Sequence, residues 1–399
     1  MSTAGESHGP YEVCILEGIP AGLSIASDEI DAELARRQRG YGRGGRMTIE
    51  SDQSQIVAGV RHGVTLGTPI AILVANRDHV NWSTAMSVDP RPDEASQPGE
   101  TQETVPRPGH ADYAGMAKYG HTEIRSVLER ASARETVARV AAGAVCKRLL
   151  KELGVNVHGR VVSIGVVHAS SETDYSRPEG VDWGAVEISP VGCDDDDASR
   201  EMCRAIDRAR ESGESLGGVF EVWCWGACPG LGSYSTVGAR LDGRLLGALG
   251  SVPAIKGLEV ARAFENAERV GSEVHDSFMI EKGGGARWVK RASNRAGGLE
   301  GGMTNGMPVV LRAAMKPIPT LTRPIMSVDL SRLEPAPAPV ERSDVTAVPA
   351  AMVVGEAVVA LIMAGAYIEK FGGDSMAELT SSLSVYVEGL KDRGLWRRP

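Results

Sequence analysis

The chain has 399 residues, 42% of them apolar, which is enough to bury a large core in one large domain or in two or three smaller ones. A formal net charge of −9 argues against nucleic acid as the main partner, because a phosphate backbone calls for a basic face. The six cysteines, Cys14, Cys146, Cys193, Cys203, Cys224 and Cys228, are scattered, with no second pair or histidines near Cys224 and Cys228, so reduced thiols are expected and a zinc site is not. No apolar run approaches the ~18 residues of a membrane span and the start does not resemble a signal, so the sequence predicts a cytoplasmic protein that does not engage a membrane.

In chain order, His8 stands between Ser7 and Gly9, as a functional imidazole would, or as a capping histidine. Ser27-Asp28-Glu29-Ile30-Asp31 reads as a capped helix start with Leu34 on its apolar side. Arg36, Arg37, Arg39, Arg43 and Arg46 then interleave with Gly40, Gly42, Gly44 and Gly45, a composition that cannot continue a helix cheaply and predicts a flexible cationic loop. Such a loop is either solvated or relieved of its self-repulsion by a bound anion. Ile56, Val57 and Val60, then Ile70, Ile72 and Val74, alternate as strands. Residues 81–106, rich in Pro, Asp, Glu, Ser and Gln, read as a long surface loop.

Arg107-Pro108-Gly109-His110-Ala111-Asp112-Tyr113 follows, and its Pro-Gly turn holds His110 on fixed backbone, which suits a proton donor as well as an ordinary turn residue. From Ser132 onward, Val137, Val140, Ala141, Ala144, Val145 and Leu149 recur at helical spacing. This places Arg130 and Ser132 around the first turn, where free N–H groups, the dipole and the arginines favour an anion. Val155 to Val167 predicts a strand pair, 170–200 an exposed insertion, 205–210 a helix and 217–223 a strand. The glycine-dense stretch 283–306 either lets backbone amides approach a flat or phosphorylated ligand or forms tight hairpins. Lys316-Pro317-Ile318-Pro319-Thr320 is a rigid turn carrying one cation. Pro335, Pro337 and Pro339 suggest a stiff linker, and 353–368, with Glu356, a buried closing helix. One large catalytic domain over 1–399, with surface insertions at 81–106 and 170–200, is the simplest organisation.

Gly5-Glu6-Ser7-His8-Gly9, residues 107–113, 129–136, 301–306 with 316–320, and Arg342-Ser343-Asp344 through Glu356 together resemble the chorismate synthase family. The resemblance implies a lyase that converts 5-enolpyruvylshikimate 3-phosphate to chorismate by 1,4-elimination, losing phosphate and a proton, with reduced FMN bound and no net redox change. It also implies an α+β fold with helices sandwiched between antiparallel sheets, a homotetramer, and a flavin supplied by a separate reductase where the chain does not reduce its own. Arg130, Ala131, Ser132, Gly301, Lys316, Pro317, Ile318, Pro319, Thr320 and Arg342 would line the FMN pocket.

The residue chemistry fits such a reaction. Arg36, Arg37, Arg43 and Arg46 can hold the phosphate, and His8 can protonate the leaving oxygen. His110 would keep the reduced flavin in its protonation state, and Asp344, flanked by Arg342, would accept the final proton. Two features depart from the family pattern: Glu12 occupies a normally apolar position of the first motif, and only four residues precede that motif. Rival readings are a flavin- or nucleotide-dependent phosphotransferase, although the chain has no Gly-x-x-x-x-Gly-Lys-Ser/Thr, and a non-catalytic protein that binds a phosphorylated ligand.

Overall fold

The computed structural model describes residues 1–44, 51–90, 103–169, 173–283, 285–340 and 344–398. Alternating apolar side chains build a first antiparallel sheet of four strands, in the order Ser2–Ala4, Tyr11–Leu16, Ile70–Ala75, Ser54–Ala58. Cys14, Leu16, Ile70, Ile72 and Val74 are all buried on one face of it. A second antiparallel sheet of five strands runs Ile255–Val260, Val309–Met315, Gly218–Trp225, Asn156–Ile164, Val167–His168.

Helices join the two sheets. Thr136–Glu152 packs on Tyr11–Leu16 and Ile70–Ala75 of the first sheet, while Val348–Phe371 packs on Asn156–Ile164 and Gly218–Trp225 of the second. The two helices then pack on each other, closely enough that a Cβ at Gly143 would lie 2.3 Å from that of Ala357. The fold is therefore a mixture of helices and antiparallel sheets around one large apolar core, with a smaller apolar cluster around Trp223.

Several expectations are corrected. Val348–Phe371 is, by length and composition, apolar enough to cross a membrane, so the reading that no apolar run approaches such a length does not hold. Burial accounts for it: 78% of its most apolar window lies inside the protein, as in a core helix. Nor does it close the chain, since Met376–Asp392 follows as a further helix. The segment expected as an exposed insertion carries buried Tyr175, Val181 and Val186, which pack around Trp223. Pro335 and Pro337 lie in a strand, Glu334–Pro337, paired with Met326–Asp329 in a two-stranded ribbon. Proline is tolerated there because such a strand keeps a free edge. In 283–306 the hairpin alternative is met at two places among the described residues, Phe278–Gly283 against Ala286–Arg291 and Leu299–Glu300 against Met303–Thr304. Of the expected loop 81–106, residues 91–102 lie outside the described residues.

Candidate active site

His8 is fixed by an acid more than a hundred residues away. Its Nδ1 donates to Glu129 Oε1 at 2.9 Å, and its backbone N–H donates to Glu129 Oε2 at 2.8 Å. The Ser7 N–H donates to the Glu129 carbonyl, so the loop is pinned to the Arg125–Ala131 helix at two levels. Trp82 lies against the imidazole with ring centroids 4.1 Å apart, Arg125 covers Trp82, and His79 Nδ1 donates to the His8 carbonyl at 2.9 Å. Burial acts to raise the pKa of Glu129, but the bonds and charge of His8 outweigh it and hold the carboxyl below its ordinary value.

His110 has its own carboxylate. Asp112 Oδ1 lies 2.5 Å from His110 Nδ1, and Asp112 also accepts from the backbone N–H and Nε of Arg107, both at 2.9 Å. Burial opposes ionisation of Asp112, but His110 and Arg107 override it and hold the carboxyl well below the usual range. Asp112–Tyr119 packs on Arg125–Ala131 at Gly115, where any Cβ would strike Val127. The His8 loop and the His110 turn are thus anchored on neighbouring helices.

The arginines divide. Arg37 and Arg43 gather with Arg134 around Asp52 and Asp344. Arg37 Nε donates to Thr136 Oγ1 at 3.0 Å and its Nη2 to the Ala133 carbonyl at 2.9 Å. Arg134 donates to Asp52 at 2.7 Å, and Arg43 to Asp344 at 2.7 Å. Burial pushes the Arg37 guanidinium down to about 10, Asp52 works against that, and Arg43 and Arg134 add to the lowering. Arg36 does not join this group. It lies in the last turn of Ser27–Gln38, which runs three residues into the expected loop, and it turns inward to Glu33, Glu187 and the fully buried Glu356. A buried carboxylate needs a cation, and Arg36 with Lys147 meets that need. Arg46 and Arg342 lie outside the described residues; the cation seen at Asp344 is Arg43.

The positions expected to hold the cofactor are also sorted. Arg130 and Ser132 do not open the long helix, which begins at Thr136. Arg130 ends Arg125–Ala131, and Ser132 is extended and caps a short 3-10 turn. The Arg130 guanidinium reaches Thr3 Oγ1 at 2.8 Å and the Gly5 carbonyl at 3.1 Å. Lys316 Nζ donates to the Gly109 carbonyl at 2.6 Å, which sets the 316–320 turn against the His110 loop, and Ser215 holds the Ile318 carbonyl. Gly301 is placed elsewhere, in a hairpin at the Val309 end of Val309–Met315, whereas Lys316 follows the other end, about 20 Å away by strand rise.

A family model described as "Chorismate synthase" matches residues 1–368. The chain belongs to the chorismate synthase family. It is 54% identical over 389 residues to a chorismate synthase of Desulforudis audaxviator, covering 98% of this chain and 97% of the relative. It is 52% identical over 386 residues to chorismate synthase 1 of Bacillus cereus, covering 97% and 98%. A crystal structure of a chorismate synthase superposes with a TM-score of 0.79 at 41% identity, covering 98% of each chain.

Within this chorismate synthase fold, the sequence reading missed the residues that connect the parts. Asn76 Oδ1 accepts from Arg134 Nε at 2.7 Å, while its Nδ2 donates to the carbonyls of Gly9 at 2.7 Å and Glu6 at 3.1 Å. It thereby ties the cationic group to the His8 loop. Asp52, Asn76 and Trp82 carry no local signal of this role, since Arg134 and His8, the site groups they touch, lie far away in the chain. Glu129 and Arg134 stand inside a quoted motif, and their place there was the available clue.

Proposed function

We propose that this site performs the 1,4-elimination of phosphate from 5-enolpyruvylshikimate 3-phosphate to give chorismate, with reduced FMN bound. The chain is a lyase by family membership, so the proposal concerns how its residues do the work. One observation carries the reading: Arg37, Arg43 and Arg134 are crowded together in a buried setting that depresses the Arg37 guanidinium, and a phosphate is the partner that relieves such crowding.

His8, with Nδ1 committed to Glu129, presents Nε2 as the nitrogen that gives its proton to the departing phosphate oxygen. Glu129 keeps the ring in that tautomer and stabilises its charged form. Asp344, held by Arg43 Nη1 and the Gly44 N–H at 2.6 Å, takes the proton lost from the ring. His110 and Asp112 stand beside the Lys316 turn, where His110 would keep the reduced flavin in its protonation state. Arg37, Arg43 and Arg46 hold the substrate phosphate.

The residues present fit a phosphate-bearing cofactor. Burial and the neighbouring Lys256 lower the Lys316 ammonium, which an added anion would reverse, and Arg130 offers a partly exposed guanidinium. Arg130, Ala131, Ser132, Lys316, Pro317, Ile318, Pro319, Thr320 and Arg342 would hold it. When bound, reduced FMN supplies an electron-rich surface beside the substrate with no net redox change. A homotetramer of single-domain chains, each a sandwich of helices between two sheets, in the cytoplasm, completes the reading.

The test is anaerobic mixing of the phosphorylated enol substrate with the protein and chemically reduced FMN. Prompt phosphate release is expected; transfer that depends on ATP would favour a phosphotransferase, and silence a binding protein. Full phosphate release by both His8→Ala and His110→Ala would overturn the assignment of the histidines.

A further inference from the structure

Glu12 is the acid that the family pattern does not ask for. It lies on Tyr11–Leu16 two residues before Cys14, on the face that packs inward, and it is 1% exposed. Neither of its carboxylate oxygens has a hydrogen-bond partner among the described residues. The side chain folds over Gly5, where a Cβ would meet Glu12 Oε2 and the Tyr11 carbonyl, each at 2.6 Å. Gly5, with φ of +131°, leaves room for the carboxyl.

Four charged groups face Glu12: Arg130 from the Arg125–Ala131 helix, Arg134 and Glu135 from the 3-10 turn that follows, and Arg37 from Ser27–Gln38. Arg130 Nη1 stands 3.8 Å from Oε2, too far for a hydrogen bond. Arg130 spends its donors on Thr3 and Gly5 and remains 42% exposed. Glu12 thus sits behind Arg130, whose guanidinium is partly open to solvent.

We propose that Glu12 is a proton-linked positioning residue for anion binding: it takes up a proton when a phosphate-bearing ligand engages Arg130, and returns it to solvent when the ligand leaves. The inference rests on the reading that Arg130 faces the flavin phosphate. Two anions on opposite sides of the same guanidinium compete for one positive field, and the buried one, lacking hydrogen bonds, is the one that neutralises. Burial pushes the carboxyl up to about 7, with Arg134 and Arg130 opposing, so the exchange falls near neutral pH. Anion affinity then falls as pH rises through that value.

Calorimetry of oxidised FMN binding to the full chain, at pH 7.5 in two buffers of different ionisation heat, measures the proton directly. The wild type is expected to take up about half a proton per FMN more than Glu12→Gln. Glu12→Gln should bind FMN about 3- to 10-fold more tightly than wild type at pH 8 and equally at pH 6. Glu12→Leu should behave as Glu12→Gln does, which guards against a folding defect peculiar to one variant. Equal proton uptake by wild type and Glu12→Gln would overturn the role of Glu12 alone. FMN affinity unchanged in Arg130→Ala would overturn the placement of Arg130, and the proposal with it.

Discussion

Asn76 hands Arg134 to the loop that carries His8. The amide accepts from Arg134 Nε at 2.7 Å and donates to two carbonyls of that loop, so the position of a guanidinium and that of an imidazole are set by one side chain. Asn76→Leu is expected to lower kcat/KM for phosphate release by about 100-fold, through misplacement of both groups. It should also cost about 2–3 kcal/mol of stability, because three buried polar groups lose their partner. Steady-state kinetics and denaturant unfolding separate the two effects; a stability loss with unchanged kcat/KM would remove Asn76 from the site.

Arg36 and Arg43 lie seven residues apart and should behave as different kinds of residue. Arg36→Met is expected to cost about 3–5 kcal/mol, since it leaves Glu356 buried with one cation fewer, while KM of the folded enzyme stays near that of wild type. Arg43→Ala should raise KM or lower kcat by tenfold or more with a smaller loss of stability. The reverse pattern would return Arg36 to the substrate site.

Acid should unlock the histidine anchors. Glu129 and Asp112 both ionise below their ordinary values in the folded protein, so each contributes stability that is present above the unfolded value near pH 4 and is lost as pH falls through the folded one. The melting temperature of the wild type should therefore fall steeply below about pH 4.5. Asp112→Asn and Glu129→Gln should start less stable at pH 7 and show a shallower fall. Parallel curves for wild type and both variants would contradict the ion pairs.

Glu12 has the opposite sign. Its folded value, pushed up to about 7 by burial, exceeds the ordinary 4.5, so the stability it contributes is full below the lower value and is lost as pH rises through the higher one. Glu12→Gln is expected to match wild type near pH 4.5 and to be more stable by roughly 1–3 kcal/mol at pH 8. Thermal unfolding across that range checks it, and a variant less stable at pH 8 would show that the ionised carboxylate is well paired.

Local pattern decided much of this protein. Alternation at Ile70, Ile72 and Val74, the helical period from Val137 to Leu149, and the motifs around His8, His110 and Asp344 are properties of neighbouring residues, so the strands, the helix and the family could be read without coordinates. Long-range partners decided the rest. Arg36 looked the same as Arg37 and Arg43 until Glu356, 320 residues further on, claimed it. The apolar run at Val348–Phe371 became a core helix because the five-stranded sheet and the helix Thr136–Glu152 cover it. Asn76 and Glu12 acquired meaning only when folding brought Arg134 and Arg130 beside them. Burial and charge pairing depend on which distant residue fills the space opposite a side chain, and only the tertiary fold supplies that neighbour.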